Sequence, residues 1–151
     1  MFKLVQTPPL DTGYVQLFHF NIFTMKRIDK LLKSADNALI HCKLVNITTT
    51  TISDDTYDGY LAGFGPAVIT SGLLQTLATY VADVNRKHVL NAIAEVSAID
   101  GQNTGETLLK HCLKQENKRN INVWRNQIID ASIALKMMIR TYNPAKKNAK
   151  P

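Results

Sequence analysis

The sequence predicts an all-α protein, a compact bundle of about five helices with a long, kinked central helix. Three observations predict it. Apolar residues recur at three- and four-residue spacing through most of the chain, the period of a helix with one buried stripe. Turn and cap residues punctuate those periodic stretches at Ser53-Asp54-Asp55, Asp100-Gly101 and Asn143-Pro144. Residues 63–84, GFGPAVITSGLLQTLATYVADV, are apolar around much of a helix circumference, which suits a helix with neighbours on several sides.

Taken in order, residues 1–24 read differently from the rest and are expected to be an N-terminal extension, outside the native fold or an ordered arm of it. They hold Pro8-Pro9, a turn-like Asp11-Thr12-Gly13 and the alternating aromatic stretch Tyr14-Val15-Gln16-Leu17-Phe18-His19-Phe20. That alternation would suit a strand, but no second strand is legible to pair with it.

The bundle domain is expected over 25–143. A first helix over 25–45 turns Ile28, Leu31, Leu32, Ala35, Leu39 and Cys42 inward and Lys26, Lys30 and Lys33 outward. The β-branched run at 48–51 reads as a loop. Ser53-Asp54-Asp55 then offers an N-cap and first-turn acids to a second helix over 53–85. That helix bends or restarts at Gly65-Pro66, where a missing N–H is harmless in a first turn. Ile69, Leu73, Leu77, Tyr80 and Val84 form its stripe, and Val68, Leu74 and Val81 widen it. Gly72, which costs about 1 kcal/mol against Ala inside a helix, would be offset by close approach of another helix or chain.

A third helix over 86–98 buries Val89, Leu90, Ile93 and Val96. Asn103 with Glu106 resembles a capping box and opens a fourth helix to about 116, with Leu108, Leu109, Cys112 and Leu113 inward. The fifth, over 121–142, carries Ile121, Trp124, Ile128, Leu135, Ile139 and Tyr142 on one face and Ile129, Ile133 and Met137 on another. Asn143-Pro144 stops it, and 144–151 reads as a basic disordered tail.

Composition bounds the function. A chain of 151 residues with 45% apolar content makes one domain with a real core. No apolar run reaches the ~18–20 residues that span a bilayer, so no membrane partner is expected. No apolar block resembles a secretory leader, and a cytoplasmic location is expected. Cys42 and Cys112 are too few for a disulfide framework and read as reduced small hydrophobes. The formal charge of +6 is unevenly placed. Segments 25–52 and 106–143 are net basic, 53–105 is net acidic, and Lys146, Lys147 and Lys150 make the tail basic. Such an excess suits a polyanionic partner.

Candidate chemistry is sparse. His41-Cys42 and His111-Cys112 invite zinc, but adjacent helical residues point about 100° apart and each cysteine falls on an apolar stripe, so no metal is expected. Gly59, Gly63 and Gly65 lack the strand and Lys-Ser/Thr pair of a phosphate cradle and read as packing and bending positions. Ser71 and Ser132 have no histidine paired by motif, and the acids show no paired arrangement, so neither an enzyme nor a cofactor is expected.

The bases are more informative. Arg125, Lys136 and Arg140, separated by 11 and 4 positions, lie within about 60° on the last helix. Lys118 and Arg119 precede that helix, Arg86 and Lys87 pair at a helix junction, and Lys26, Lys30 and Lys33 stripe the first helix. Taken alone, these read first as the solvated faces of an ordinary helical protein.

The run at 61–80, and within it Gly72-Leu73-Leu74-Gln75-Thr76-Leu77-Ala78, resembles the small all-helical subunit of the type III-B CRISPR effector, the Cmr complex. The resemblance extends over about 25–142, mainly as order and size of helices. It implies a non-catalytic subunit whose copies pack beside the other Cmr subunits, with a basic groove along CRISPR RNA and target RNA. It makes Pro66, Gly72, Leu73, Leu74, Gln75 and Leu77 structural, and turns the bases above into RNA-contact candidates. The family's terminal aromatic beside a basic pair is matched by Ile139-Arg140-Thr141-Tyr142 with a single base, and its acidic-Ala-Leu run only loosely by Asp130-Ala131 and Ala134-Leu135. Three other classes are weighed. A helical DNA-binding regulator would need a polar recognition helix, where the fourth helix offers only Lys110 and Lys114. A small helical scaffold protein needs no site at all. A helical enzyme or metal bundle would need inward Glu and His, where this chain places apolar residues.

Overall fold

The computed structural model describes residues 12–145, with side chains from Met25 onward. The lysines of the tail and the first eleven residues lie outside that range. The described chain is all-helical apart from one small hairpin. In order it forms α1 (Thr12–His41), β1 (Val45–Asn46), β2 (Thr51–Ile52), α2 (Thr56–Ser71), α3 (Leu73–Ala82), α4 (Val84–Ser97), α5 (Gly105–Leu113) and α6 (Ile121–Ile139). A 3₁₀ turn, Gln115–Asn120, leads directly into α6.

The first helix starts earlier than its amphipathic pattern, at Thr12 rather than at 25, so the aromatic stretch is helical backbone and not a strand. It also ends earlier, at His41. Lys43 takes a left-handed φ of 61°, and Leu44 N–H donates to Leu39 O while Lys43 N–H donates to Ile40 O. That pair of reversed bonds is a Schellman-type stop, with a lysine where glycine is usual. The threonine run closes an antiparallel hairpin, Val45 opposite Ile52 and Asn46 opposite Thr51. Its edge is tied to the end of α6: Ile52 N–H donates to Asn143 O and Asn143 N–H to Thr50 O.

The expected 53–85 helix is two helices, and the break falls at Gly72 rather than at Gly65-Pro66. α2 runs straight through Pro66. Gly72 has φ 88° and ψ 158°, a region open essentially to glycine alone. Nothing lies within 4 Å of where its Cβ would be, so the glycine serves backbone geometry and not close packing. Thr76 Oγ1 then donates to Gly72 O at 2.8 Å, which satisfies a buried hydroxyl at the break. The break rotates the stripe. Leu73, Leu77 and Tyr80 are buried as expected, whereas Ile69 and Val84, assigned to the same stripe, are 69% and 77% exposed.

α4 is capped by Asp83, whose carboxylate accepts from Asn85 and Arg86 N–H. α5 is capped by Thr104, not Asn103: its hydroxyl accepts from Thr107 N–H. Leu113, expected inward, is 56% exposed because α5 ends there and the chain turns away. α6 ends at Ile139, short of 142.

The core lies between α4 and α6. α4 buries Val89, Leu90, Ala92, Ile93, Ala94 and Val96 and touches every other helix. α6 buries Ile128, Ala131, Ala134, Leu135 and Ile139 against α1, α2 and α4. At Gly105 the close approach expected of other glycines is found: an added Cβ would sit 2.6 Å from the buried Leu90 Cδ2.

Candidate nucleic-acid interface

α1 and α6 are neighbours, which joins the two basic segments that the sequence separates by the whole acidic middle. Two polar links fix their register. Arg27 Nε meets Asp130 Oδ2 at 3.1 Å, and Tyr142 Oη donates to Asp36 Oδ1 at 2.7 Å. Both links advance in the same chain direction, so the helices run parallel. Between them, Arg27, Lys30 and Leu31 of α1 face Gln127 and Asp130 of α6 across a shallow groove of about 240 Å³.

The candidate bases divide into three groups. Lys26, Lys30, Lys33, Lys118, Arg119 and Arg125 are exposed, Lys136 is half-buried, and none of these makes an ion pair among the described residues. Arg140 and Lys87 are engaged with acids of the same chain. Arg140 Nε is 3.0 Å from Asp58 Oδ1, which ties α6 to α2. Lys87 Nζ meets Glu106, holding α4 to α5 and keeping that carboxyl below its ordinary range. The 125–136–140 set is therefore a mixed one, with only Arg125 both exposed and without an acid partner.

Arg86 stands apart. Its guanidinium lies 5.1 Å from the Tyr60 ring centroid and 5.6 Å from that of Tyr80, a cation–π arrangement on two faces. Its Nε is buried and has no hydrogen-bond partner among the described residues. Tyr80 is itself locked: its hydroxyl donates to Tyr60 O at 2.7 Å, and Phe64 packs edge-on against its ring at 5.1 Å. Burial pushes the Tyr80 hydroxyl above its ordinary pKa, with nearby Arg86 opposing.

These residues close one end of a groove of about 330 Å³ between α2 and α3. Gly59, Gly63, Ala67 and Ser71 line its α2 wall, and Gln75 and Thr79 its α3 wall. No neighbouring atom lies within 4 Å of a Cβ built at Gly59, Gly63 or Gly65, which corrects their assignment to close packing. At Gly59 and Gly63 the missing side chains leave the groove open. Among the structural-motif residues, Leu73 and Leu77 are buried in the core, Gln75 faces the groove, and Leu74 and Pro66 are exposed.

Sequence reasoning missed Tyr60 and Tyr80 as the partners of Arg86. A signal was present: Tyr60, Gly63, Ala67 and Ser71 recur at helical spacing, a stripe of small residues ending in an aromatic.

The His-Cys pairs do not share one centre. His111 Nε2 lies 2.9 Å from Asp100 Oδ2, and its ring stacks on Trp124. Cys112 is buried in the core, and burial pushes its thiol up to about 11. His41 Nδ1 is instead 2.8 Å from Glu95 Oε2, and the Cys42 thiol donates to the same oxygen at 3.6 Å. Burial first, and then the Glu95 charge, push the Cys42 thiol up to about 12, so it is no nucleophile. No described helix is long and apolar enough to cross a membrane.

No family model, curated protein or solved structure matches this chain.

Proposed function

We propose that this chain is a non-catalytic, RNA-contacting small subunit of a type III-B CRISPR effector, stacking in copies along the guide–target RNA in the cytoplasm as part of antiviral defence. The observation that carries the proposal is the parallel pairing of α1 with α6. It packs the helix that carries Lys26, Lys30 and Lys33 against the helix that carries Arg125 and follows the Lys118-Arg119 turn. All six bases are exposed and none is matched by an acid of the described chain. Cations left unmatched by their own protein are available to phosphates, and release of counterions then drives association. Guide pairing would carry the sequence specificity, so charge and shape suffice for this subunit.

Arg86 adds to this. Its aromatic supports hold the guanidinium in place, and the α2–α3 groove beside it is walled in part by the stretch that carries the family resemblance. The net-acidic 53–105 segment gives the basic segments of a second copy something acidic to meet, a heterologous contact that propagates along a line.

The test is fluorescence anisotropy with a guide–target RNA duplex across a salt series. Charge reversal at Lys118, Arg119 and Arg125 together should weaken binding and reduce the salt slope by about one unit per lost phosphate contact. Equal affinity and slope in wild type and variant would refute the interface. Failure of the chain to join co-expressed Cmr subunits would refute the assignment to that complex.

A further inference from the structure

We propose that His41, Cys42 and Glu95 form a zinc-binding site that clasps the end of α1 to α4. This is independent of the RNA proposal.

One donor atom from each of the three residues lies within 4.8 Å of the others. A tetrahedral zinc ion holds neighbouring N, O and S donors about 3.3–3.8 Å apart, so modest rotamer adjustment closes the set. Imidazole, thiolate and carboxylate are a mixed donor set that suits zinc, a borderline-soft ion.

The two side chains reach one carboxylate across the α1–α4 contact. Adjacent residues inside a helix diverge by about 100°. Cys42 lies just past the last helical residue, in the turn closed by Lys43 at φ 61°, and both side chains turn to the same Glu95 oxygen. That oxygen now accepts from both of them. A cation in their midst would replace those bonds: the thiol proton is released to solvent as the Zn–S bond forms, and the coordinating imidazole nitrogen gives up its proton, the other ring nitrogen carrying the N–H of the neutral ligand.

Access is open. The His41 side chain is 78% exposed, and the cluster borders a cavity of about 500 Å³ that His88, Asn91 and Lys43 also line. The fourth position therefore belongs to water. His88 lies two helical turns from Glu95, about 10 Å along α4, which keeps it out of the coordination shell. The Lys43 ammonium is the opposing charge nearby, and with thiolate and carboxylate both bound the zinc centre is neutral beside it.

The experiment titrates the full-length, reduced, chelator-treated protein with Co²⁺ and then competes with Zn²⁺. One ion per chain should bind, with a thiolate-to-cobalt charge-transfer band that zinc abolishes, and zinc should raise the thermal midpoint. Cys42→Ser should abolish the band, and His41→Ala and Glu95→Gln should each weaken zinc at least about tenfold. Cys112→Ser, in the other His-Cys pair, should bind as wild type does. Absence of the band in wild type, its loss in Cys112→Ser, or unchanged affinity in Cys42→Ser would overturn the proposal. Circular dichroism monitors folding of each variant. If Cys42→Ser does not fold, His41→Ala decides, since its exposed side chain leaves the core intact, and unchanged zinc affinity there refutes the site.

Discussion

Tyr142, three residues beyond α6, donates its phenolic hydrogen to Asp36 of α1 at 2.7 Å, across 106 positions of sequence. With the Arg27–Asp130 pair it sets the parallel register of the two basic helices. The Arg140-Thr141-Tyr142 stretch is thus a fastening: Arg140 holds α2 and Tyr142 holds α1. Tyr142→Phe should lower stability by about 1 kcal/mol, the net worth of one hydrogen bond with its acceptor left partly solvated. Urea denaturation checks this, and RNA affinity of the folded variant should be unchanged.

Gly72→Ala should cost about 1–3 kcal/mol, since φ 88° with ψ 158° is closed to an L side chain even though open space surrounds the position. Gly63→Ala is the contrast. It lies inside α2 with nothing within 4 Å of a Cβ, so it should stabilise by up to about 1 kcal/mol through helix propensity. Thermal midpoints of the two variants should move in opposite directions.

Gly105→Ala should destabilise by about 1–3 kcal/mol through overpacking, because its Cβ would meet Leu90 Cδ2 at 2.6 Å and Cγ at 2.7 Å. The cost should shrink in a Leu90→Ala background, where the obstructing atoms are gone. A double-mutant cycle reads that coupling directly. Additive effects would mean that the Gly105–Leu90 approach is not the cause.

Burial lifts the Asp130 carboxyl above its ordinary 3.8, and Arg27 pulls it part of the way back. For an acid with a raised folded pKa, folding disfavours the ionised form. That penalty is full above the folded pKa and disappears below the unfolded one. Arg27→Ala should therefore cost about 1–2 kcal/mol at neutral pH, discounted because the arginine side chain is 53% exposed. The loss should diminish as pH falls toward about 4. Adding Asp130→Asn should remove that pH dependence. Stability curves from pH 4 to 8 check the sign, and a loss that is constant with pH would contradict it.

The all-helical class, the inward residues of α4 and most of those in α6, and the turn at Asp100-Gly101 were legible because helical periodicity and turn chemistry are local. Each is decided by residues within a turn or two of one another. Gly72 is legible as costly inside a helix, but its φ is not, so local pattern puts the break in the 53–85 segment at Gly65-Pro66 and extends the stripe to Ile69 and Val84. The early end of α1 was hidden for a similar reason: Lys43 takes a left-handed turn that glycine normally marks.

The sequence by itself determined helix content, the segregation of charge along the chain and the candidate bases. Only the tertiary structure decided which helices are neighbours, and with that which bases are engaged. Asp58 lies 82 positions from Arg140 and Glu95 lies 54 from His41, and no local pattern encodes such pairings. They follow from how α1, α2, α4 and α6 bury their apolar stripes against one another. A hydrophobic stripe says that a face must be covered, and the packing of the whole bundle decides what covers it.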